Sequence, residues 1–262
     1  MMRLPARRAQ VWRALLLCAL APVTSIAQAQ ARDSTPSPAW RLTGADAAFA
    51  GGTTAVALGL LPFDAAVARR VDRAVGDTPR LSSVAQYSGV FGDPGAAVIA
   101  GALLVGGRLT GQQGLAATGV HGIEALAVSS IITASLKKLV GRARPNAVSD
   151  YAALTFSPLR PRPGYASLPS GHATAAFTLA AVVQQEMAHA VRFQAHPGWR
   201  RALTGAAYGV AAATAGSRLV ERKHWASDVV LGAGIGVVSG RWLTRWRRQA
   251  PRHPVERWLI GG

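Results

Sequence analysis

Six apolar stretches punctuate the chain, at 45–63, 93–107, 115–135, 170–190, 201–217 and 226–244, with polar or proline- and glycine-bearing connections between them. Each is longer than ten residues and rich in alanine, which favours helix over buried strand. The pattern predicts an all-α chain, a six-helix bundle without internal repeats. Composition agrees: half of the residues are hydrophobic but only 6% are aromatic. Small apolar side chains let helix backbones approach one another, whereas a β-sandwich uses branched and aromatic residues in alternation.

The same stretches raise the question of a bilayer. Residues 45–63 and 115–135 approach the roughly 20 apolar residues that a span needs, while 93–107, opening at Asp93-Pro94, is short. A mean hydropathy of +0.20 is modest for six spans, and helices of a soluble core can be equally apolar. Ahead of them, Arg3, Arg7, Arg8 and Arg13 precede an apolar run from Ala14 to Pro22, followed by Ala27-Gln28-Ala29. These are the three parts of a secretory signal. The expected organisation is a signal over 1–29, a flexible lead-in over 30–42, a helical domain over 43–246 and a basic tail over 247–262. Cys18, the one cysteine, falls within the signal. A mature chain without thiols excludes disulfides, thiolate catalysis and cysteine-ligated metals.

Charge changes the picture further. The formal net charge is +17, from 29 Lys+Arg against 12 Asp+Glu, and about +13 once the signal is removed. Such a field draws anions. Nucleic acid is not expected, because the arginines are scattered between apolar segments without an aromatic platform or reading motif. The expected partners are a phosphorylated lipid or small phosphoester and an anionic membrane surface, with Trp242, Trp246 and Trp258 beside the tail arginines as an interface anchor. The sequence implies no oligomeric state. Arginines beside spans stay cytoplasmic, which puts the opposite end of the bundle, and the motifs below, in the periplasm of a bacterial envelope. A cleaved signal followed by six spans would instead leave the tail outside. Three resolutions stay open: a retained signal, one segment that does not span, or a soluble protein whose tail touches lipid.

The residues that carry chemistry fall in three blocks. Lys137 and Arg144-Pro145 form the first, with Lys138 and Arg142 read as water-facing residues of a basic helix end. The connection from Asn146 to Leu168 has no clear periodicity, and a loop that long either serves the site or lies on the surface. Pro169-Ser170-Gly171-His172 opens the fourth apolar stretch. Ser170 can cap a helix or donate its hydroxyl, and Gly171 leaves room for an anion at the helix N-terminus. The third block holds Ser217, Arg218, His224 and Asp228. The last two, four apart, are expected on one helix face, with the carboxylate holding one imidazole nitrogen and leaving the other free to attack. His121 and Glu124, three apart, form a second polar pair, while His189, His196 and His253 look solvated or interfacial.

In order and spacing these blocks resemble the type 2 phosphatidic acid phosphatase superfamily, which includes bacterial nonspecific acid phosphatases and vanadium-dependent haloperoxidases. The family pattern is Lys, six residues, Arg-Pro; Pro-Ser-Gly-His; then Ser-Arg, five residues, His, three residues, Asp. It occurs here without departure. The resemblance implies a helical bundle of that kind. It also implies His224 as the nucleophile that becomes a phosphohistidine, Asp228 as its orienter and His172 as the acid and base. Lys137, Arg144, Ser170, Gly171 and Arg218 would hold the phosphoryl oxygens. No metal or other cofactor is implied, and vanadate would inhibit as a phosphate mimic. Two alternatives stand beside a phosphatase: a vanadate-dependent haloperoxidase and a non-catalytic binder of envelope lipids.

Overall fold

The computed structural model describes residues 41–76, 78, 80–92, 94–160, 162–249 and 254–260. The expected signal with Cys18, most of the expected lead-in, Asp93, Arg252 and His253 lie outside them. Eight helices of ten or more residues occur among the described residues, rather than six. They are α1 (Gly44–Leu60), α2 (Asp64–Gly76), α3 (Arg80–Gly89), α4 (Gly95–Leu109), α5 (Gln113–Val140), α6 (Gly171–His189), α8 (Pro197–Val220) and α9 (Ala226–Gln249). Two shorter helices, α7 (Val191–Gln194) and α10 (Pro254–Ile260), complete the set. No β-strand occurs among the described residues, and one isolated bridge joins Arg142 to Phe156. All six apolar stretches became helices. The additional α2 and α3 are short and polar on one side, so they interrupt no continuous apolar run and a search for such runs passes over them.

Local chemistry sets the helix ends. Thr43 caps α1 in a reciprocal box: its hydroxyl accepts from the Asp46 amide at 3.1 Å while its own amide donates to the Asp46 carboxylate at 3.2 Å. At the far end of α5, Gly141 adopts φ 56°, ψ 46°. This left-handed position suits glycine, and a Cβ there would also stand 2.1 Å from the Ser157 carbonyl oxygen.

The core lies where α6 meets α8 and α9. Ala173, Ala176, Phe177, Ala180, Tyr208, Ala211, Ala215 and Val237 are buried together, with the Phe177 and Tyr208 rings 6.0 Å apart. Close approach depends on glycine. A Cβ at Gly236 would meet the Thr174 carbonyl oxygen at 2.4 Å, and one at Gly240 the Thr178 carbonyl oxygen at 2.6 Å. The helices therefore touch backbone to backbone along this seam.

The described part of the basic C-terminal segment is tied to the bundle by ion pairs and apolar contacts. The boundary at 246 falls inside α9. Arg245 pairs with Asp46 at 2.6 Å, Arg248 with Glu186 at 2.7 Å, and Arg247 with Glu124. Arg241 is buried, 3.6 Å from Asp46. Ile260 of α10 is buried against Ala117 and Val120. His121 and Glu124 do not pair with each other. His121 lies 2.7 Å from Glu186 and 3.5 Å from Glu256, all three buried. Trp242 and Trp246 stack on one another at 5.6 Å and pack beside Val182 and Leu243; Trp258 is exposed. His189 and His196 are exposed.

Large apolar side chains face outward on α1, α4 and α5, among them Val56, Leu58, Val98, Val105, Ile123 and Ile131. The span Gly44–Gly76 and helix α5 are long and apolar enough to cross a bilayer.

The seam between α6 and α9 is directly testable. Gly236→Ala is expected to destabilise the protein by about 1–3 kcal/mol, the usual cost of overpacking. Alanine at the outward-facing Gly101, where a Cβ meets nothing within 4 Å, should leave the thermal unfolding midpoint unchanged or slightly raised.

Candidate active site

Four helix ends meet at one end of the bundle, and each delivers part of the motif set. Lys137 lies in the last turn of α5, with its ammonium donating to the Ala166 carbonyl at 2.6 Å. Gly141 then ends the helix, so Arg144 is reached through extended backbone rather than a further helical turn. The Arg144 amide donates to the Gly164 carbonyl at 2.9 Å, and its buried Nε has no hydrogen-bond partner among the described residues. The 146–168 connection therefore belongs to the site: carbonyls of Gly164, Ala166 and Ser167 all hold motif residues.

Ser170 caps α6. Its buried hydroxyl oxygen accepts from the Ala173 amide at 3.4 Å, and its own amide donates to the Asp228 carbonyl at 3.0 Å. Beside it, a Cβ on Gly171 would meet nothing within 4 Å, so the helix N-terminus faces open space. His172 follows in the first turn. Burial, together with Arg218, His224, Lys137 and Arg144, pushes its imidazole down to about 4. After burial itself, the three motif cations and His224 all disfavour a proton on this ring. Arg218, in the last turn of α8, is mostly buried; it donates to Ser217 Oγ at 3.0 Å and to Glu221 at 2.6 Å. Ser217 in turn donates to the Thr214 carbonyl at 2.7 Å, a structural role. The α3–α4 turn closes in from the side. A Cβ at Gly92 would stand 2.5 Å from the His172 ring, and one at Gly89 2.1 Å from the Arg218 guanidinium.

His224 departs from the expected geometry. It precedes α9 rather than sharing a helix face with Asp228, which sits in that helix's first turn. Its Nδ1 lies 2.7 Å from the Ser167 carbonyl oxygen but 3.8 Å from Asp228. A carbonyl only accepts, so Nδ1 carries the proton and Nε2 keeps its lone pair. Burial holds the His224 imidazole below its ordinary range, against the opposing pull of Asp228. Asp228 is wholly buried and accepts from Ser167 Oγ at 2.5 Å, the Trp225 amide at 2.9 Å and Arg142 at 2.6 Å. Burial would raise its carboxyl, but His224, Arg142 and Ser167 hold it below the usual range.

The description "PAP2 superfamily" matches residues 119–252, slightly more than half of the chain and all three motif blocks. The chain belongs to the PAP2 superfamily. Among relatives, a lipid A 1-phosphatase of Porphyromonas gingivalis is 38% identical over 87 residues. That match covers 33% of this chain and 18% of the relative, so the chain corresponds to under a fifth of the relative's length. The crystal structure of a transmembrane PAP2 type phosphatidylglycerolphosphate phosphatase from Bacillus subtilis aligns over 75% of this chain and 98% of that one. The TM-score is 0.41 and the identity 16%. At that score the superposition is loose, and membership rests on the sequence match.

Within this PAP2 chain, sequence reasoning missed four residues at the site. Arg142 is the clearest correction: it is fully buried, not water-facing, and bonds Asp228 directly. Lys138, by contrast, is exposed. Asp64, Ser167 and Glu221 were not singled out either. The available signal was scarcity: with only 12 acidic residues in the chain, an aspartate ending an apolar stretch is a candidate partner for a buried cation.

The cationic field around His172 yields a measurable consequence. In histidine-selective NMR, His172 is expected to titrate near 4 in the free protein. Arg218→Gln should move that titration upward, because the strongest neighbouring positive charge is gone. An unchanged or lowered value would mean that Arg218 does not face the imidazole.

Proposed function

We propose that this chain is a phosphatase that releases phosphate from a lipid phosphate or diphosphate through a phosphohistidine on His224, without a metal. The observation that carries the reading is geometric: the Ala166–Ser167 backbone bonds Lys137 and His224, Ser170 bonds the Asp228 carbonyl, and the Gly89–Gly92 turn lies against both Arg218 and His172, beside a helix N-terminus that opens to free space. In the first step His224 Nε2 bonds to phosphorus, the ester P–O bond breaks, and the leaving oxygen takes a proton from His172. In the second, neutral His172 takes a proton from water as that water attacks phosphorus, and the P–N bond breaks to return His224. The low proton affinity of His172 in the free site fits this cycle. A bound phosphoryl group brings negative charge, offsets the three cations and lets the imidazole hold the proton it must give. Lys137, Arg144, Arg218 and the Ser170–Gly171 turn stabilise charge on the equatorial oxygens, which is the main lever in phosphoryl transfer.

A lipid is favoured over a soluble ester by the lipid named for the Porphyromonas relative and by the outward apolar faces of α1, α4 and α5. A groove of about 200 Å³ between α4, α5 and α6 is lined by Ala97, Ile123, Leu126, Ala127, Ser130 and Ala175. Ala175 is one turn from His172 along α6, so an acyl chain lying in the groove would lead its headgroup to the site. The reading places the protein at the membrane of a bacterial envelope with the site on the periplasmic side.

His224→Ala is expected to abolish phosphate release while leaving the thermal midpoint close to that of the parent. Assays should compare phosphatidate, a lipid diphosphate, lipid A and a soluble aryl phosphate. Vanadate should inhibit competitively and EDTA should have no effect. Turnover surviving in the variant, or activity lost in EDTA and restored by a divalent ion, would overturn the mechanism.

A further inference from the structure

The Arg142 guanidinium is sealed from solvent, and all five of its N–H donors are used. Nε and one Nη2 proton bond the Ala153 carbonyl at 3.0 and 2.8 Å, and Nη2 also bonds Asp64 at 2.7 Å. Nη1 bonds Ser227 Oγ at 2.7 Å and Asp228 at 2.6 Å. The indole of Trp225 and the ring of Phe156 lie against it, 5.4 and 5.8 Å from the guanidinium carbon. Asp64, opening α2, closes the circuit by accepting from the Ser227 amide at 2.9 Å and the Ser227 hydroxyl at 2.5 Å.

Both anchors of His224 trace back to this residue. The Arg142 side chain fixes Asp228, which holds the Ser167 hydroxyl and the Trp225 amide. The Arg142 carbonyl accepts from the Ser167 amide at 3.0 Å, and the Ser167 carbonyl orients His224 Nδ1. We propose that Arg142 and Asp64 are positioning residues that hold Ser167 and Asp228 so that His224 keeps one tautomer, with Nε2 directed at phosphorus. Neither touches the substrate, since both are buried beneath the site. The catalytic part of this assignment rests on His224 being the nucleophile; the tautomer part does not.

Asp64→Asn is the decisive variant because it keeps the shape and leaves Arg142 bonded to Asp228. Histidine-selective NMR of the full chain should show a single Nδ1–H tautomer for His224 in the parent and a mixture in the variant. Its kcat should fall about 10- to 100-fold, as small misplacements of reacting groups do, with KM within about threefold, a uniform-binding change being absent. Asp64→Glu should recover part of kcat, and Arg142→Lys, which keeps charge but loses the fork, should be worse than Asp64→Asn. A variant retaining both the single tautomer and parental kcat overturns the proposal. So does a loss of kcat that only tracks the fraction unfolded while the tautomer stays fixed. If Arg142→Lys does not fold, Asp64→Asn decides alone. A parent chain that releases no phosphate from any substrate would sink the phosphatase reading instead, and the tautomer comparison would still stand or fall by itself.

Discussion

A guanidinium shielded from water lies between the carboxylates of Asp64 and Asp228, and the site is laid over that pair of contacts. Buried ions are tolerated only where charge and hydrogen bonds are both satisfied, which Arg142 achieves completely. The cations above it are treated differently. Lys137 bonds a neutral carbonyl, Arg144 leaves Nε unpartnered among the described residues, and Arg218 faces a partly exposed Glu221. The contrast separates Arg142, held between two buried carboxylates, from Lys137 and Arg144, which have no carboxylate partner among the described residues, and from Arg218, which has one at the rim. Burial first, and then Arg218, His224, Lys137 and Arg144, lower the proton affinity of His172.

The large net charge of the chain is therefore not one undivided field. At the end of the bundle away from the site, Arg241 and Arg245 face Asp46, Arg247 faces Glu124, and Arg248 faces Glu186. These pairs tie α9 to α1, α5 and α6, and Glu256 of α10 reaches His121 in the same cluster. Acidic residues are few, and most of those at this end are engaged in holding helices together.

The six apolar stretches, the absence of strands among the described residues and the helix ends carrying the motifs were legible in the sequence, because length, alanine content and glycine or serine at the boundaries are local signals. Helices α2 and α3 were not, since their apolar positions are few and their other face is charged in α2 and polar in α3. Arg142 was misread for a related reason. Its position just past Gly141 marks a helix end, and helix ends are usually wet; only the return of the 146–168 loop and the approach of α2 bury it. The four-residue spacing of His224 and Asp228 suggested a shared helix face, but α9 begins at Ala226, so the orienting bond passes to Ser167. Contacts between residues about 60 to 160 positions apart, such as Asp64 with Ser227, leave no mark in spacing.

Why the two motif helices register so closely follows from Gly232, Gly236 and Gly240, which recur every four residues on α9. A Cβ at Gly232 would stand 2.5 Å from the Ser170 carbonyl oxygen, and the other two would strike the α6 backbone in the same way. Small residues at this spacing form a stripe along which a second helix can lie in backbone contact. The stripe ends at the site, where the Ser170 amide donates to the Asp228 carbonyl at 3.0 Å. The α6 N-terminus that would receive an oxyanion and the carboxylate network that steadies His224 are thereby locked to each other by main-chain atoms. Side-chain rotamers cannot loosen that link. A wider separation of α6 from α9 would displace His172 relative to His224, so the packing seam and the relative placement of the two imidazoles are one geometric constraint.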